Sequence, residues 1–225
     1  MTRVGVAVPA AGSGRRMGGV RKPFLELLDE PVLLHALRPF LAERRVAHVV
    51  VALSAPDAVD PPDWLADLDE RVRIVEGGET RWASVRRALE AIPGDVDVIA
   101  VHDAARPLVT PETVSACIDV AEAGAGAVAG CPAVDTMKTV DASGDVVATP
   151  DRTRLWHAHT PQVFPARVLR EAYASSMEAA TDDAALVEGH GIRIRMVDDG
   201  GLNLKVTRPD DAAVAESILR HRRAS

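Results

Sequence analysis

Aromatic residues are scarce in this chain: Phe, Trp and Tyr together make up 3% of its 225 residues. Proteins that bind single-stranded nucleic acid stack bases on aromatic side chains, so this composition argues against that class. Basic tracts are also lacking, because the net charge is -7 and the one cluster is the short run 220–223. A nucleic-acid surface needs a clustered basic face. We therefore expect a small-molecule ligand and no nucleic-acid partner.

Long apolar runs and paired cysteines are missing as well. The first apolar run, residues 4–8, is too short for a secretory signal, and no stretch approaches the ~20 apolar residues that span a membrane. The two cysteines, Cys117 and Cys131, belong to no pair with metal-ligand spacing. These absences predict a cytoplasmic protein with no membrane association.

Lysine is nearly absent. The 26 basic residues include three lysines, at positions 22, 138 and 205, and the others are arginines. A lysine that persists against this bias could mark a place where a compact ammonium works and a planar guanidinium does not. Chance survival is the alternative reading for each of them.

The chain does contain an alternation of short apolar runs and amphipathic helices. Strands are predicted at 3–8, 48–53, 72–75, 96–101, 127–131 and 193–197. Helices are predicted at 31–43, 81–92, 110–124, 166–177, 182–188 and 209–220, with Thr110 as an N-cap. This alternation predicts one α/β domain over residues 1–225, with a Rossmann-like, mostly parallel sheet and helices on both faces. Such sheets bind ligands at the carboxyl ends of their strands.

The segment at about 132–155 departs from this pattern. It is polar and rich in turn residues, and the run Asp141-Ala142-Ser143-Gly144-Asp145 has the composition of a hairpin turn. Short β-rich runs flank that turn, but little apolar surface is available for a core. We expect a projecting β-arm that packs on a second subunit.

The first predicted strand runs into the loop Pro9-Ala10-Ala11-Gly12-Ser13-Gly14-Arg15-Arg16-Met17. Glycines let a phosphate approach the backbone amides, and the arginines supply positive charge beside them. A third glycine, as in the dinucleotide fingerprint, and a Gly-Lys-Ser/Thr end, as in the P-loop, are both lacking. The loop therefore predicts a triphosphate site of another kind.

Further motifs follow this loop in a fixed order. They are Gly77-Gly78-Glu79-Thr80-Arg81, His102-Asp103-Ala104-Ala105-Arg106-Pro107, Asp135-Thr136-Met137-Lys138, Thr160-Pro161-Gln162, Thr181-Asp182-Asp183-Ala184 and Asn203-Leu204-Lys205-Val206-Thr207-Arg208-Pro209. Together with the loop, the series resembles the 2-C-methyl-D-erythritol 4-phosphate cytidylyltransferase family of the non-mevalonate isoprenoid pathway. The resemblance implies transfer from CTP to a polyol phosphate, a requirement for Mg²⁺ or another divalent cation, and a homodimer with exchanged β-arms.

The resemblance also implies roles for individual residues. Catalytic positive charge would come from Arg16, Lys22, Arg152 and Lys205. The nucleotide would contact Pro9, Ala10, Ala11, Gly12, Gly14, Gly78, Glu79, Ser84, Asp103 and Ala104. The acceptor would contact Arg106, Thr136, Arg152, Thr160 and Lys205, with Arg152 supplied by the other subunit. Asp103 would hold the metal ion.

Several alternatives stay open at this point. Either Arg21 or Lys22 carries the charge at the end of the loop, and Lys138 serves either the site or a salt bridge within the arm. His157 and His159 have a spacing that suits zinc, but no cysteine or acidic residue stands close to them in sequence. The acceptor could be ribitol 5-phosphate instead. A catalytically silent nucleotide-binding module is the alternative outside enzymes.

Overall fold

A computed structural model describes residues 1–12, 22–176 and 180–224. The strands are β1 Val4–Pro9, β2 Glu26–Leu27, β3 Glu30–Pro31, β4 Val46–Leu53, β5 Val72–Glu76, β6 Val98–Val101, β7 Gly126–Pro132, β8 Thr139–Val140, β9 Val146–Ala148, β10 Trp156–Pro165 and β11 Ile194–Asp198. The helices are α1 Val32–Ala42, α2 Ala55–Val59, α3 Asp63–Ala66, α4 Arg81–Ala91, α5 Pro111–Glu122, α6 Ala166–Ser175, α7 Asp183–Val187 and α8 Pro209–Ala224.

One seven-stranded sheet organises the chain, in the order β11-β7-β10-β6-β1-β4-β5. All of its strands run in one direction except β10, which is antiparallel to both of its neighbours. The predicted α/β architecture with a mostly parallel sheet is therefore confirmed. Because six strands share a direction, their carboxyl ends meet at one edge of the sheet.

Side chains of β1 alternate between the two faces of the sheet. Val4, Val6 and Val8 belong to the cluster that contains α1 and α5, whereas Ala7 belongs to the cluster that contains α4 and α6. All of these side chains are fully buried. Burying a side chain as large as valine contributes about 1.5–3 kcal/mol, so this two-faced packing fixes the central strand and the loop that follows it.

The bounds of most helices and strands that the sequence predicts agree with the structure to within a few residues. Thr110 is the N-cap of α5, as predicted, because its hydroxyl accepts a hydrogen bond from the Thr113 amide at 3.2 Å. The short helices α2 and α3 and the long strand β10 were not predicted. The predicted end of α6 at residue 177 lies outside the described residues, and the helix is described as far as Ser175. In the parts of the chain that the structure describes, no helix combines the length and apolarity needed to cross a bilayer.

The segment at 132–155 contains an antiparallel hairpin of β8 and β9, separate from the main sheet. Asp141 shapes the turn, since its Oδ1 accepts hydrogen bonds from the Ser143 and Asp145 amides at 2.9 and 3.0 Å. Gly144 adopts a φ of 89°, which a residue with a Cβ rarely does. Apolar side chains stand exposed on this arm, at Val134, Val140, Val146 and Val147.

Candidate active site

The loops after β1 and β5 pack closely at the common strand edge. Ala10 donates its amide to the Ala52 carbonyl at 2.8 Å, which holds the start of the first loop to β4. A Cβ on Gly77 would lie 2.6 Å from the Ala11 Cβ, and one on Gly78 would lie 2.3 Å from the Ala83 Cβ. Real side chains do not approach this closely, so glycine at 77 lets the two loops meet, and glycine at 78 lets the loop after β5 pass close to the start of α4.

Ser84, the predicted nucleotide contact on α4, is buried. It lies against Gly78 and Thr80, and we call this group of three residues the Gly78 corner. Its hydroxyl donates to the Thr80 carbonyl at 2.9 Å and accepts the Gly78 amide at 3.1 Å. Glu79 is exposed beside it. The predicted residues Gly78, Glu79 and Ser84 therefore lie together at the start of α4, and Gly77 brings this segment against Ala11 of the first loop.

Some predicted residues of the first loop lie outside the described residues. These are Gly14, Arg16 and Arg21, together with the rest of 13–21. Lys22 is the first residue of a 3-10 turn, Lys22–Phe24. The choice between Arg21 and Lys22 therefore remains as the sequence left it.

Asp103, directly beyond β6, is the centre of the charged part of the site. Its carboxylate is 9% exposed and accepts hydrogen bonds from Arg81 Nε at 2.9 Å and from Lys205 Nζ at 2.8 Å. Arg106 Nε lies 3.7 Å from the same Oδ2 atom that Lys205 contacts. Three cations thus surround one buried carboxylate at the end of a central strand.

The charge on Asp103 is firmly maintained. Burial alone would raise the pKa of this carboxyl, but the positive charges of Arg81 and Lys205 outweigh burial and hold the pKa well below its usual range. Asp103 is therefore ionised at every pH near neutrality. Its side-chain hydrogen bonds go to cations from two other segments, Arg81 at the start of α4 and Lys205 before α8.

Thr160 and His102 form hydrogen bonds around the backbone of Asp103. The Thr160 hydroxyl accepts the Asp103 amide at 3.0 Å and lies 3.1 Å from His102 Nδ1. His102 Nε2 is 3.2 Å from the Arg106 carbonyl. Burial lowers the pKa of His102 to about 4, so the imidazole is neutral near pH 7. His102 therefore orients this loop as a neutral ring and is not a charged proton donor near pH 7.

Arg106 and Asn203 join the loop after β6 to the chain that precedes α8. Arg106 donates to the Asn203 carbonyl at 2.6 Å, and Asn203 donates its amide group to the Thr160 carbonyl at 2.8 Å. Arg106 Nε and Asn203 Oδ1 are both buried and have no hydrogen-bond partner among the described residues. Buried polar atoms are normally paired, so these two atoms are exceptions within the described part of this network.

Arg81 and Asp183 extend this network, although the sequence analysis gave neither a role. Arg81 donates to both carboxylate oxygens of Asp183, at 3.2 and 2.7 Å, and Tyr173 donates to Asp183 at 2.6 Å. The Asp183 side chain is completely buried. Both residues stand in motifs that carried the family resemblance, but their pairing spans 102 positions and had no local signal.

Two predicted acceptor residues, Thr136 and Arg152, are exposed on the arm. Arg152 donates a hydrogen bond to the Val134 carbonyl within the arm. Among the described residues, no hydrogen bond or ion pair joins either side chain to the Asp103 cluster of the same chain. Lys138 donates to the Thr149 hydroxyl at 2.7 Å, so it braces the hairpin through a hydrogen bond, and the choice between a site role and a salt bridge in the arm stays open.

Comparison with known proteins identifies a consistent set of relatives. The family model for 2-C-methyl-D-erythritol 4-phosphate cytidylyltransferase, IspD, matches residues 4–221. A protein of that name from Symbiobacterium thermophilum is 42% identical over 220 residues, which cover 96% of this chain and 92% of the relative. One from Nostoc punctiforme is 38% identical over 221 residues, covering 96% and 97%.

Solved structures agree with the sequence matches. The 2-C-methyl-D-erythritol 4-phosphate cytidylyltransferase of Thermus thermophilus superposes with a TM-score of 0.80 at 31% identity, covering 98% of this chain and 100% of that one. A 4-diphosphocytidyl-2C-methyl-D-erythritol synthase from Anaerococcus prevotii reaches a TM-score of 0.86 at 24% identity, over 97% and 96% of the two chains. At that identity the second match shows the fold alone.

Proposed function

The chain belongs to the 2-C-methyl-D-erythritol 4-phosphate cytidylyltransferase family, and we propose that it couples CTP to 2-C-methyl-D-erythritol 4-phosphate. A phosphate oxygen of the acceptor attacks the α-phosphorus of CTP, and the bond from that phosphorus to the bridging oxygen of the β-phosphate breaks. The products are 4-diphosphocytidyl-2-C-methyl-D-erythritol and pyrophosphate. The observation that carries this proposal is the convergence of Arg81, Arg106 and Lys205 on the buried Asp103.

This cluster suits a reaction between two anions. The acceptor phosphate and the triphosphate repel each other, so positive charge fixed in advance is the main contribution that side chains can make. A phosphate monoester is already a competent nucleophile near neutral pH, and a neutral His102 is consistent with a reaction that needs no proton carrier. Neither alternative, a ribitol 5-phosphate acceptor or a silent module, is favoured by the family match.

For the nucleotide half, we assign the described loop residues to the phosphates and the Gly78 corner to the base and ribose. A Cβ on Gly12 would meet no atom of the described residues within 4 Å, which leaves room for a ligand beside that part of the chain. The other nucleotide contacts that we assign are Pro9, Ala10, Ala11 and Ala104. Arg16 and Lys22 remain predicted contributors of positive charge.

Asp103 fits the divalent cation that the family resemblance implies. Magnesium prefers hard oxygen ligands and is commonly held by one or two carboxylates together with substrate phosphates and water. Each carboxylate oxygen of Asp103 uses one lone pair on a cation and retains another. Asp103 would therefore hold Mg²⁺ against the triphosphate, where the ion supplies neutralisation of phosphate charge.

For the acceptor half, Arg106, Thr160 and Lys205 lie in one hydrogen-bonded network around Asp103. We propose that Thr136 and Arg152 reach this network from a second copy of the chain. The exposed apolar side chains of the arm support such an exchange, because a two-stranded hairpin is marginally stable alone and packing on a partner would bury these side chains.

The proposed reaction has a direct assay. The purified protein with CTP, Mg²⁺ and 2-C-methyl-D-erythritol 4-phosphate is expected to release pyrophosphate and to form the CDP-linked alcohol, both of which can be quantified. Ribitol 5-phosphate, added as a competitor, is expected to be used far less efficiently. Turnover of ribitol 5-phosphate at a higher kcat/KM would contradict the proposed acceptor, and binding of CTP without turnover of either polyol would contradict the reaction.

Exchange of the arm predicts complementation between two impaired variants. Arg152→Ala and Lys205→Ala are each expected to lose about 10²-fold in activity, because each removes a cation from the acceptor phosphate. If Arg152 serves the partner's site, a heterodimer of the two variants contains one intact site. After mixed refolding, activity is expected to recover to about one quarter of the wild-type level, as random pairing of a two-fold dimer dictates.

Arg154→Ala is the matched control for the arm, because Arg154 lies in the same 3-10 turn, Arg152–Arg154, and is exposed. This variant is expected to keep wild-type activity. Failure of the refolded mixture to exceed its two components would show that Arg152 acts within its own chain or not at all. Analytical ultracentrifugation of each sample establishes whether dimers are present in the assay.

A further inference from the structure

A second group of potential metal ligands lies beside the Asp103 cluster. Cys131 near the end of β7, His159 in β10 and Asp199 directly after β11 place one ligand atom each within 4.8 Å of one another. The three strands are neighbours in the sheet. The sequence argued against zinc at His159 because no cysteine or acidic residue stands near it, and the sheet order supplies both.

We propose that Cys131, His159 and Asp199 form a binding site for a divalent transition-metal ion, with Zn²⁺ as the preferred occupant. A thiolate, an imidazole and a carboxylate are the ligand types that zinc takes in proteins, and three protein ligands with a water in the fourth position make a complete tetrahedral site. This site does not depend on the reaction proposed above.

Strand register accounts for the convergence of these side chains. Asp199 donates its amide to the Gly130 carbonyl at 2.9 Å, which extends the β7–β11 ladder and sets Asp199 beside Cys131. The β7–β10 pairing shifts register between residues 158 and 162, and His159 lies in that shifted segment. Its side chain reaches across to Asp199, with Nδ1 2.7 Å from Oδ2.

Asp199 is held in place by the surrounding chain. The Asp199 side chain is 1% exposed, and its oxygens accept hydrogen bonds from the Gly201 amide at 3.0 Å and the Asn203 amide group at 3.0 Å. Gly201 has a φ of 74°, and a Cβ there would lie 3.5 Å from Cys131 Sγ. Glycine at 201 therefore provides the turn that brings Asp199 to the thiol.

Small movements would complete the coordination. Ligand atoms around a tetrahedral zinc ion lie about 3.3–3.8 Å apart, given metal–ligand lengths of about 2.0–2.3 Å. His159 and Asp199, now at hydrogen-bonding distance, would separate slightly as zinc replaces the proton between them. Asp198 adds a second negative charge near the thiol, which favours a cation there.

The ligand set separates this site from the magnesium site proposed at Asp103. Magnesium has little affinity for a thiolate and an imidazole, whereas zinc binds both well. Zinc added to tag-free protein in excess Mg²⁺ is therefore expected to bind with a stoichiometry of one per chain, measured by equilibrium dialysis and metal analysis. Co²⁺ in its place is expected to give a thiolate-to-cobalt charge-transfer band in the near ultraviolet.

Matched variants test each ligand. Cys131→Ser, His159→Gln and Asp199→Asn are each expected to weaken zinc binding by more than about tenfold, and Cys131→Ser is expected to abolish the charge-transfer band. Cys117→Ser and His157→Gln are the controls. Cys117 is buried in α5, and His157 pairs with Cys131 across the strands but stands exposed and outside the ligand group.

Circular dichroism and thermal unfolding establish that each variant is folded before metal is added. Zinc binding unchanged in Cys131→Ser or His159→Gln would overturn the proposal, as would zinc that excess Mg²⁺ displaces. Loss of binding in His157→Gln that equals the loss in His159→Gln would also contradict the assigned ligands. Any folded variant set therefore gives a decisive result.

Discussion

Asp103→Asn is expected to lower kcat/KM for CTP and the polyol phosphate by on the order of 10²- to 10³-fold. The substitution keeps the shape of the side chain and removes its charge. Arg81 and Lys205 then lose the anion that aligns them, at 2.9 and 2.8 Å, and the divalent cation loses its proposed protein ligand. Both losses act on the triphosphate, so steady-state kinetics with varied Mg²⁺ is the appropriate measurement.

The matched control is Asp95→Asn, in the turn that precedes β6. Asp95 is 57% exposed and forms a surface ion pair with Arg3, so its replacement is expected to leave kcat/KM unchanged. Urea unfolding separates activity from folding, since Asp103→Asn is expected to cost about 1–3 kcal/mol as well. A folded Asp103→Asn protein with more than a tenth of wild-type kcat/KM would contradict the central role of this carboxylate.

Because the pKa of Asp103 is lowered in the folded state, the free energy of unfolding is expected to depend on pH in acid. Burial opposes ionisation, but Arg81 and Lys205 overcome it, so the folded state holds the pKa below the ordinary value of 3.8. Stability from this group is therefore complete above pH 3.8 and is lost as the pH falls below that value. The acid limb of the unfolding free energy below about pH 4 is expected to be flatter in Asp103→Asn than in the wild type.

Much of this architecture could be predicted from local patterns. The apolar run of β1, the capped start of α5 at Thr110 and the turn at Asp141–Asp145 each depend on neighbouring residues, and all three appear in the structure. The placement of ligand-binding loops at one edge follows from strand direction alone. Asp103, Arg106, Thr160 and Lys205 were named from motifs, and the structure brings them into one network.

Features that depend on sheet order could not be predicted in this way. β10 enters the sheet antiparallel between β6 and β7, and nothing within residues 156–165 specifies those neighbours. Cys131, His159 and Asp199 come together only through that order. A search for metal ligands that are close in sequence therefore does not find them. The contact of Arg81 with Asp183 has the same origin, since hydrophobic periodicity carries no information on which charges meet.

Arg81→Met is expected to lower the free energy of unfolding by about 2–4 kcal/mol. Arg81 is the shared cation of two carboxylates, Asp103 and the fully buried Asp183. Among the described residues, Asp183 accepts three side-chain hydrogen bonds, of which this substitution removes two and leaves the one from the Tyr173 hydroxyl. The guanidinium is 33% exposed, so water relieves part of the penalty and the effect falls below that of a fully buried pair.

The control is Arg167→Met, in which an exposed i,i+4 pair with Glu171 is removed on α6. Such pairs contribute about 0.3–0.5 kcal/mol, and methionine retains much of the length of the side chain. Urea unfolding of both variants measures the difference. A loss in Arg81→Met no greater than that in Arg167→Met would show that the Asp183 carboxylate finds compensation elsewhere.

A double-mutant cycle identifies the source of the loss. If Arg81→Met destabilises the fold because it leaves a buried carboxylate unpaired, then Asp183→Asn, which removes that charge, should recover part of the stability when the two are combined. The coupling energy between the two positions is expected to be about 1–3 kcal/mol. Additive losses would mean that the two residues act independently. Strong coupling would mean that one guanidinium ties the start of α7 to the end of β6, so that the pairing with Asp183 helps to hold the Asp103 carboxylate in place.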